Sequence, residues 1–147
     1  METLSQPYGI LLVEDDPADA MLIEGALLDQ GGGRLVTKVD DGVAALAHLR
    51  DPESTRPDLI VMDLNMPRMN GHELLAILKA DRQLRIIPVV VLTTSNSPDD
   101  VIGAYSRHAN AFITKPIDLD GFVDAVRSMD TFFHDTAAKV PREALGN

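Results

Sequence analysis

The fold is decided by the stretch LIVMDLNMP at residues 59–67, in which four apolar residues lead into one carboxylate. A short apolar run of this kind is typical of a strand that is buried on both faces. Pro67 has no N–H to offer a neighbouring strand, so the strand is expected to end near Asp63. A carboxylate at the end of a buried strand needs charged or hydrogen-bonding partners, which are expected elsewhere in the chain.

Four more apolar runs alternate with helical patterns on either side of this strand. The predicted strands cover residues 8–13, 35–39, 59–63, 87–92 and 111–113. The predicted helices begin at Pro17, Gly42, Gly71, Pro98 and near Asp118, and the last one continues to Phe133. Five strands that alternate with five helices through short connections predict a doubly wound parallel α/β sheet.

Two of the helices carry clear start signals. Asp16 precedes Pro17 and is interpreted as an N-cap rather than a metal ligand, with Asp19 three residues later in the capping-box position. Ser97 begins the fourth helix in the same way, with an acidic residue at Asp100.

Composition and charge restrict the class of protein. The chain has 147 residues, of which 45% are hydrophobic and 24% are charged, so one globular domain is expected. It is predicted to cover residues 8–134, between an N-terminal tail at 1–7 and a C-terminal tail at 135–147. A formal charge of −10 argues against nucleic-acid binding. No apolar run approaches the roughly 18 residues of a membrane span, and the absence of cysteine fits the cytoplasm.

The residues that follow the predicted strands form a chemical pattern. They are Glu14 and Asp15, Asp63, Thr93, and Lys115. Ligands of doubly wound sheets bind beyond the carboxyl ends of the strands, so these side chains are expected to meet. Three clustered carboxylates must bind protons or a cation, and an incomplete shell of oxygen ligands favours Mg²⁺. The hydroxyl and the ammonium would accommodate a phosphoryl group, with Asp63 as the nucleophile.

Four motifs in this order resemble the receiver domain of two-component response regulators. They are LLVEDD, VMDLNMP, VVVLTTS and ITKP, and the resemblance extends over residues 8–133. It implies a flavodoxin-like (βα)5 fold with strand order 2-1-3-4-5. It also implies that Asp63 accepts a phosphoryl group from a phosphohistidine of a sensor histidine kinase. Such a protein is a signalling switch and not an enzyme, apart from its own phosphorylation and dephosphorylation.

The resemblance also implies roles for the surrounding residues. Asp15 would bind Mg²⁺ directly, Glu14 would bind it through water, and the backbone carbonyl of Asn65 would be a further ligand. The family usually has Asp where this chain has Glu14, which is longer by one methylene.

The implied switch consists of three side chains. Lys115 would contact the phosphoryl group, and Thr93 would move to hydrogen-bond it. Phe112 occupies the position of an aromatic switch that changes rotamer, although a core role is equally compatible with the sequence.

A narrower likeness concerns a subgroup of receivers. The run ILKADRQLRIIPVVVLTTS and the end of the last helix resemble small stand-alone receivers that are paired with bacterial phytochromes. Those proteins are often homodimers through the fourth helix, fifth strand and fifth helix. The last helix carries an apolar stripe of Leu119, Phe122, Val126, Met129 and Phe133, with Val123 and Phe132 beside it. Its width suggests a dimer interface that includes Met129, Phe132 and Phe133, with plain core packing as the alternative.

Two other functions are compatible with parts of the pattern. One is a receiver-like adaptor that binds partners without phosphorylation, and the other is a Mg²⁺-dependent phosphatase with an aspartyl intermediate. The second usually has its nucleophile after the first strand, whereas here it follows the third. The four histidines share no ligand spacing and are interpreted as surface residues (His48, His72, His108 and His134).

Overall fold

The computed structural model describes residues 6–141. Its strands are β1 (Tyr8–Val13), β2 (Arg34–Val39), β3 (Leu59–Met62), β4 (Val89–Thr93) and β5 (Ala111–Thr114). Its α-helices are α1 (Pro17–Asp29), α2 (Gly42–Arg50), α3 (Gly71–Ala80), α4 (Pro98–Ser106) and α5 (Leu119–Thr131). The strands are parallel and lie in the order β2-β1-β3-β4-β5. The predicted doubly wound fold and its strand order are thus confirmed.

Two apolar layers cover the two faces of the sheet. On one face, α1 and α5 pack on alternate residues of the central strands, including Ile10, Leu59 and Val90. On the other face, α2, α3 and α4 cover residues such as Leu11 and Ile60. β3 and the first four residues of β4 are therefore apolar at every position, because successive side chains point to opposite, equally buried faces.

The fourth strand begins later than predicted. It starts at Val89 and includes Thr93, whereas Ile87 lies in the preceding turn and is still buried. Pro88 separates the two, since a proline cannot donate a hydrogen bond within a ladder. At its other end, β4 extends one residue further than predicted, so that Thr93 pairs with Thr114 of β5.

The last helix differs from its predicted outline in three respects. It ends at Thr131 and continues as a π-helical turn, Phe132–Thr136. Leu119, the first residue of the helix, is exposed and does not join the apolar residues that pack on the sheet. Met129 is only 4% exposed and packs in the core, which agrees with the core-packing alternative and leaves little of its surface for a partner. Phe132 is 52% exposed, and Phe133 packs partly against the same core.

The segment after the π-helical turn lies against the amino ends of the strands. Residues 137–140 line a small cavity together with Tyr8 and Phe133, and the ammonium of Lys139 lies 5.8 Å from the Tyr8 ring centroid. The predicted tails fall partly at 1–5 and 142–147, outside the described residues. Among the described helices, none is long and apolar enough to cross a membrane.

Candidate functional site

Backbone hydrogen bonds between neighbouring strands continue past the ends of the strands and fix the positions of the functional residues that follow them. The Asp63 N–H donates to the Val13 carbonyl at 3.0 Å, and the Lys115 N–H donates to the Thr93 carbonyl at 2.7 Å. The carboxyl ends of β1 and β3 therefore deliver their acidic residues to one edge, where the strand order reverses. Ligands of this class of fold bind at that place.

The ammonium of Lys115 lies at the centre of the site. Its Nζ donates to Glu14 Oε1 at 2.7 Å, to Asp19 Oδ2 at 2.8 Å and, more weakly, to Asp63 Oδ2 at 3.4 Å. Its side chain is 3% exposed, so these contacts replace the water that a charged group would otherwise require. One ammonium thus binds three carboxylates.

The carboxylates of Glu14, Asp15 and Asp63 form a possible metal site. Each offers an oxygen, and the three oxygens lie within 4.8 Å of one another. Asp15 is exposed, while the other two are buried. An all-oxygen set that is open on one side suits a hard divalent cation that keeps some of its water. The residues present thus fit a divalent metal.

Burial and charge shift two titrating groups in this site. Burial raises the pKa of Glu14 to about 7, against the opposing effect of its hydrogen bond to Lys115. Burial alone would lower the pKa of Lys115, but the hydrogen bonds to Asp19 and Glu14 and the charge of Asp63 raise it overall. The site therefore has a permanently charged ammonium beside carboxylates that lack full neutralisation.

The two oxygens of Asp63 have different surroundings. Oδ1 accepts from the Leu64 N–H at 2.7 Å and from the Asn65 N–H at 3.4 Å. Oδ2 lies 3.4 Å from the Lys115 ammonium. The start of α3 packs on the same backbone, since a Cβ at Gly71 would come within 2.8 Å of the Leu64 Cα. Only glycine allows that close approach without movement of the chain.

The structure places the remaining predicted residues around this centre. Thr93 is fully buried, and its hydroxyl accepts from the Ser95 N–H at 3.4 Å. Phe112 is half-buried against the core, and its N–H donates to the Tyr105 hydroxyl at 3.1 Å. Asn65 is exposed and directly follows the Asp63 turn. Their roles in switching and metal binding stay predictions.

Asp19 has a different role from the one that its spacing indicated. Asp16 caps α1 as predicted, accepting from the N–H groups of Ala18 at 2.9 Å and Asp19 at 3.2 Å. The Asp19 carboxylate does not complete a capping box and instead binds Lys115. One indication of this contact with Lys115 is present in the sequence: Asp19 lies in the first turn of the helix that follows Glu14 and Asp15.

A family comparison identifies the class of protein. Residues 10–127 match the model of the response regulator receiver domain. The chain belongs to this family. The recognition made from the four motifs is thereby confirmed.

Individual relatives point to a phytochrome-linked subgroup. The response regulator Rcp1 of Synechocystis is 40% identical over 134 residues, which cover 88% of this chain and 91% of Rcp1. The crystal structure of the phosphorylated cyanobacterial phytochrome response regulator RcpA has a TM-score of 0.89 at 40% identity, covering 92% of this chain and 99% of RcpA. The structure of Mn²⁺-bound Rcp1 has a TM-score of 0.88 at 39% identity, covering 92% and 100%. This receiver is therefore related to phytochrome response regulators.

Proposed function

We propose that this chain is a single-domain response regulator that accepts a phosphoryl group on Asp63 from a sensor histidine kinase. The observation that carries the proposal is the position of Asp63 beside both the Lys115 ammonium and the acidic pair, Glu14 and Asp15. Asp63 therefore offers a nucleophilic oxygen, with a cation beside it for the incoming phosphoryl group and further carboxylates that could bind a metal. The related RcpA is phosphorylated in its crystal structure, which supports phosphorylation as the function of this chain.

The proposed step exchanges one bond of phosphorus for another. An oxygen of the Asp63 carboxylate attacks the phosphorus of the phosphohistidine, a P–O bond forms and the P–N bond breaks. The departing imidazole nitrogen takes a proton from the solvent. Oδ2 is the better-placed nucleophile, because two backbone N–H groups engage Oδ1. The Lys115 ammonium neutralises charge on the phosphoryl oxygens, and such positioning supplies most of the catalysis in phosphoryl transfer.

A divalent ion, proposed to be Mg²⁺, would be held by Asp15, Asp63, the Asn65 carbonyl and, through water, Glu14. When bound, it supplies positive charge next to the transferred group. The donor set supports this assignment, since all four ligands are oxygens. Mn²⁺ in the related Rcp1 structure shows that a divalent ion binds that relative.

Phosphorylation is proposed to draw the Thr93 hydroxyl, and with it Phe112, toward the site. The switch would then alter the surface formed by α4, β5 and α5, where Ile102, Tyr105 and Ile117 are exposed. Such a change matters only if a partner distinguishes the two states. The proposed partners are a kinase of the bacterial phytochrome type and a second copy of this chain on that surface. The proposed location is the cytoplasm.

The test is the intact mass of the protein after incubation with acetyl phosphate, with and without Mg²⁺. We expect one phosphoryl group on the parent chain in the presence of Mg²⁺, and none on Asp63→Asn. Asp99→Asn is the control, because Asp99 is an exposed acid outside the site. Phosphate uptake by Asp63→Asn would contradict the proposal. Lack of uptake by the parent, from both acetyl phosphate and a phosphorylated phytochrome kinase, would favour a phosphorylation-independent adaptor.

A further inference from the structure

A hydrogen-bonded chain of three side chains joins α3 to the loop between β4 and α4. The Ser95 hydroxyl donates to Asp100 Oδ2 at 2.5 Å, and His72 Nε2 lies 3.0 Å from Asp100 Oδ1. The three residues come from a loop and two different helices. The interpretation of His72 as a plain surface residue is therefore wrong.

Ser95 connects this chain to the proposed switch. Its N–H donates to the Thr93 hydroxyl at 3.4 Å, and its carbonyl accepts from the Thr114 hydroxyl at 3.1 Å. Movement of the Thr93 hydroxyl toward Asp63 would break the first of these contacts. The position of Ser95 is thus coupled to the residue that is proposed to move.

The start of α4 is built on the same serine. Asp100 occupies the position from which an acidic side chain usually accepts the N–H of the N-cap residue, here Ser97. That N–H instead donates to the Ser95 hydroxyl at 3.2 Å, and the Asp100 carboxylate accepts from Ser95. The beginning of the helix and the conformation of the loop consequently depend on each other.

His72 is held tightly against α4. A Cβ at Gly103 would lie 3.0 Å from His72 Cε1, so the glycine makes room for the ring. Within residues 6–141, the His72 Nδ1 is buried and has no hydrogen-bond partner. To contact the ionised Asp100, Nε2 must carry a proton and donate it. Leaving Nδ1 unpaired costs free energy, which the charge-assisted bond at Nε2 offsets.

We propose that His72 is a positioning residue of the phosphoryl switch. Through Asp100 it holds Ser95, and thus the loop at residues 94–97, in the conformation of the unphosphorylated protein. The inference rests on the proposed function, since it concerns the switch of the same site. A contact made in only one of two states lowers the apparent affinity of any ligand that selects the other state. Loss of the His72 contact is expected to make the activated state easier to reach.

The test uses beryllium fluoride with Mg²⁺, a stable phosphoryl mimic, and follows binding by fluorine NMR. We expect His72→Ala to reduce the half-saturating concentration by about tenfold, the factor that one charge-assisted hydrogen bond typically represents. His72→Gln keeps a donor at the distance of Nε2 and is expected to stay within about twofold of the parent. Asp100→Asn weakens the same contact from the other side and should shift binding in the direction of His72→Ala.

The variants also separate positioning from mere damage to the fold. A destabilised protein would bind the mimic more weakly, whereas the inference predicts tighter binding. His48→Ala is the control and should bind like the parent, because within residues 6–141 the His48 side chain has a hydrogen bond to Ser54 alone. Equal affinity of His72→Ala and the parent would overturn the inference and leave the proposed function intact. Absence of binding by the parent would overturn both.

Discussion

Two clusters of buried charged side chains lie at opposite edges of the same sheet, and they differ in net charge. At the carboxyl edge, the Lys115 ammonium is shared by Glu14, Asp19 and Asp63. At the amino edge, Arg34 is the one cation paired with Asp130 among the described residues, through Nη2 at 2.7 Å and Nε at 3.0 Å. The first cluster has an excess of negative charge, whereas the second is neutral.

The neutral cluster is closed to solvent. Asp130 is 0% exposed and the Arg34 side chain is 3% exposed, and Gln30 adds a hydrogen bond of 3.2 Å to the carboxylate. This pair ties α5 to the first residue of β2. A balanced pair has no need of a further ion, whereas the unbalanced edge attracts a cation or a proton. The difference separates a structural role from a functional one.

The largest effect on stability is expected at the amino edge. Arg34→Met leaves the Asp130 charge buried without its partner and should lower the free energy of unfolding by about 3–5 kcal/mol. Urea denaturation measures this. Arg127→Met is the matched control, because Arg127 and its partner Asp29 are both well exposed and their bridge should contribute about 0–1 kcal/mol. Similar losses in both variants would contradict the structural role of the amino edge.

The corresponding change at the carboxyl edge should affect chemistry first. Lys115→Met removes the cation that would neutralise the phosphoryl oxygens and is expected to slow phosphorylation by acetyl phosphate roughly 100-fold. Intact mass recorded over time gives the rate. Arg34→Met, assayed at a temperature where it stays folded, should react like the parent. A Lys115→Met rate within twofold of the parent would show that this ammonium is structural.

Asp41 provides a further test of the comparison, because it lies at the carboxyl edge but its charge is neutralised by one partner, Arg68. It caps α2 through the Ala44 N–H at 2.9 Å and pairs with Arg68 at 2.7 Å. The Ala44 N–H and the Arg68 guanidinium lower the pKa of Asp41 below its ordinary value of 3.8. Asp41→Asn keeps the cap and removes the charge, so it should cost about 1 kcal/mol of unfolding free energy near neutral pH.

The sign of the pH dependence follows from the lowered pKa of Asp41. The folded protein binds fewer protons at Asp41 than the unfolded chain, so the contribution is complete above the ordinary value of 3.8. It is lost as pH falls through the lower pKa of the folded state. Urea denaturation of both proteins at several pH values should show a difference that is constant near neutrality and shrinks in acid. A difference that grew on acidification would contradict the assignment.

The smallest predicted effect concerns the position of the Lys115 ammonium. Asp19→Asn removes one of its three carboxylate partners and is expected to slow phosphorylation about two- to fivefold, the equivalent of less than 1 kcal/mol. Asp16→Asn keeps the helix cap and is the control. An Asp19→Asn rate as low as that of Lys115→Met would show that Asp19 acts directly on the phosphoryl group.

The carboxyl edge could largely be predicted from the sequence for a geometric reason. In a parallel sheet every strand ends at the same edge, so a side chain that follows a strand is placed there by the strand alone. Glu14, Asp63 and Lys115 follow different strands, and their contacts required only the correct strand ends. The exposed Asp15 joins them by chain adjacency.

The amino edge and the His72 contacts could not be predicted in this way. Asp130 sits in a helical pattern where an acidic residue normally faces water, and its partner is 96 residues away. His72 and Asp100 lie on separate helices whose relative rotation depends on packing, for which Gly103 makes room. Pairs between elements depend on the angle and register of those elements, which local patterns do not specify.

The most direct test of the central claim is the site of the phosphoryl group. The protein is phosphorylated with acetyl phosphate and Mg²⁺ and then reduced with borohydride, which converts an aspartyl phosphate to homoserine. Peptide sequencing by mass spectrometry identifies the converted residue. Homoserine at position 63 alone is the predicted result. Homoserine at Asp15, or phosphate retained on a histidine or a hydroxyl, would contradict the assignment of Asp63 as the phosphoacceptor.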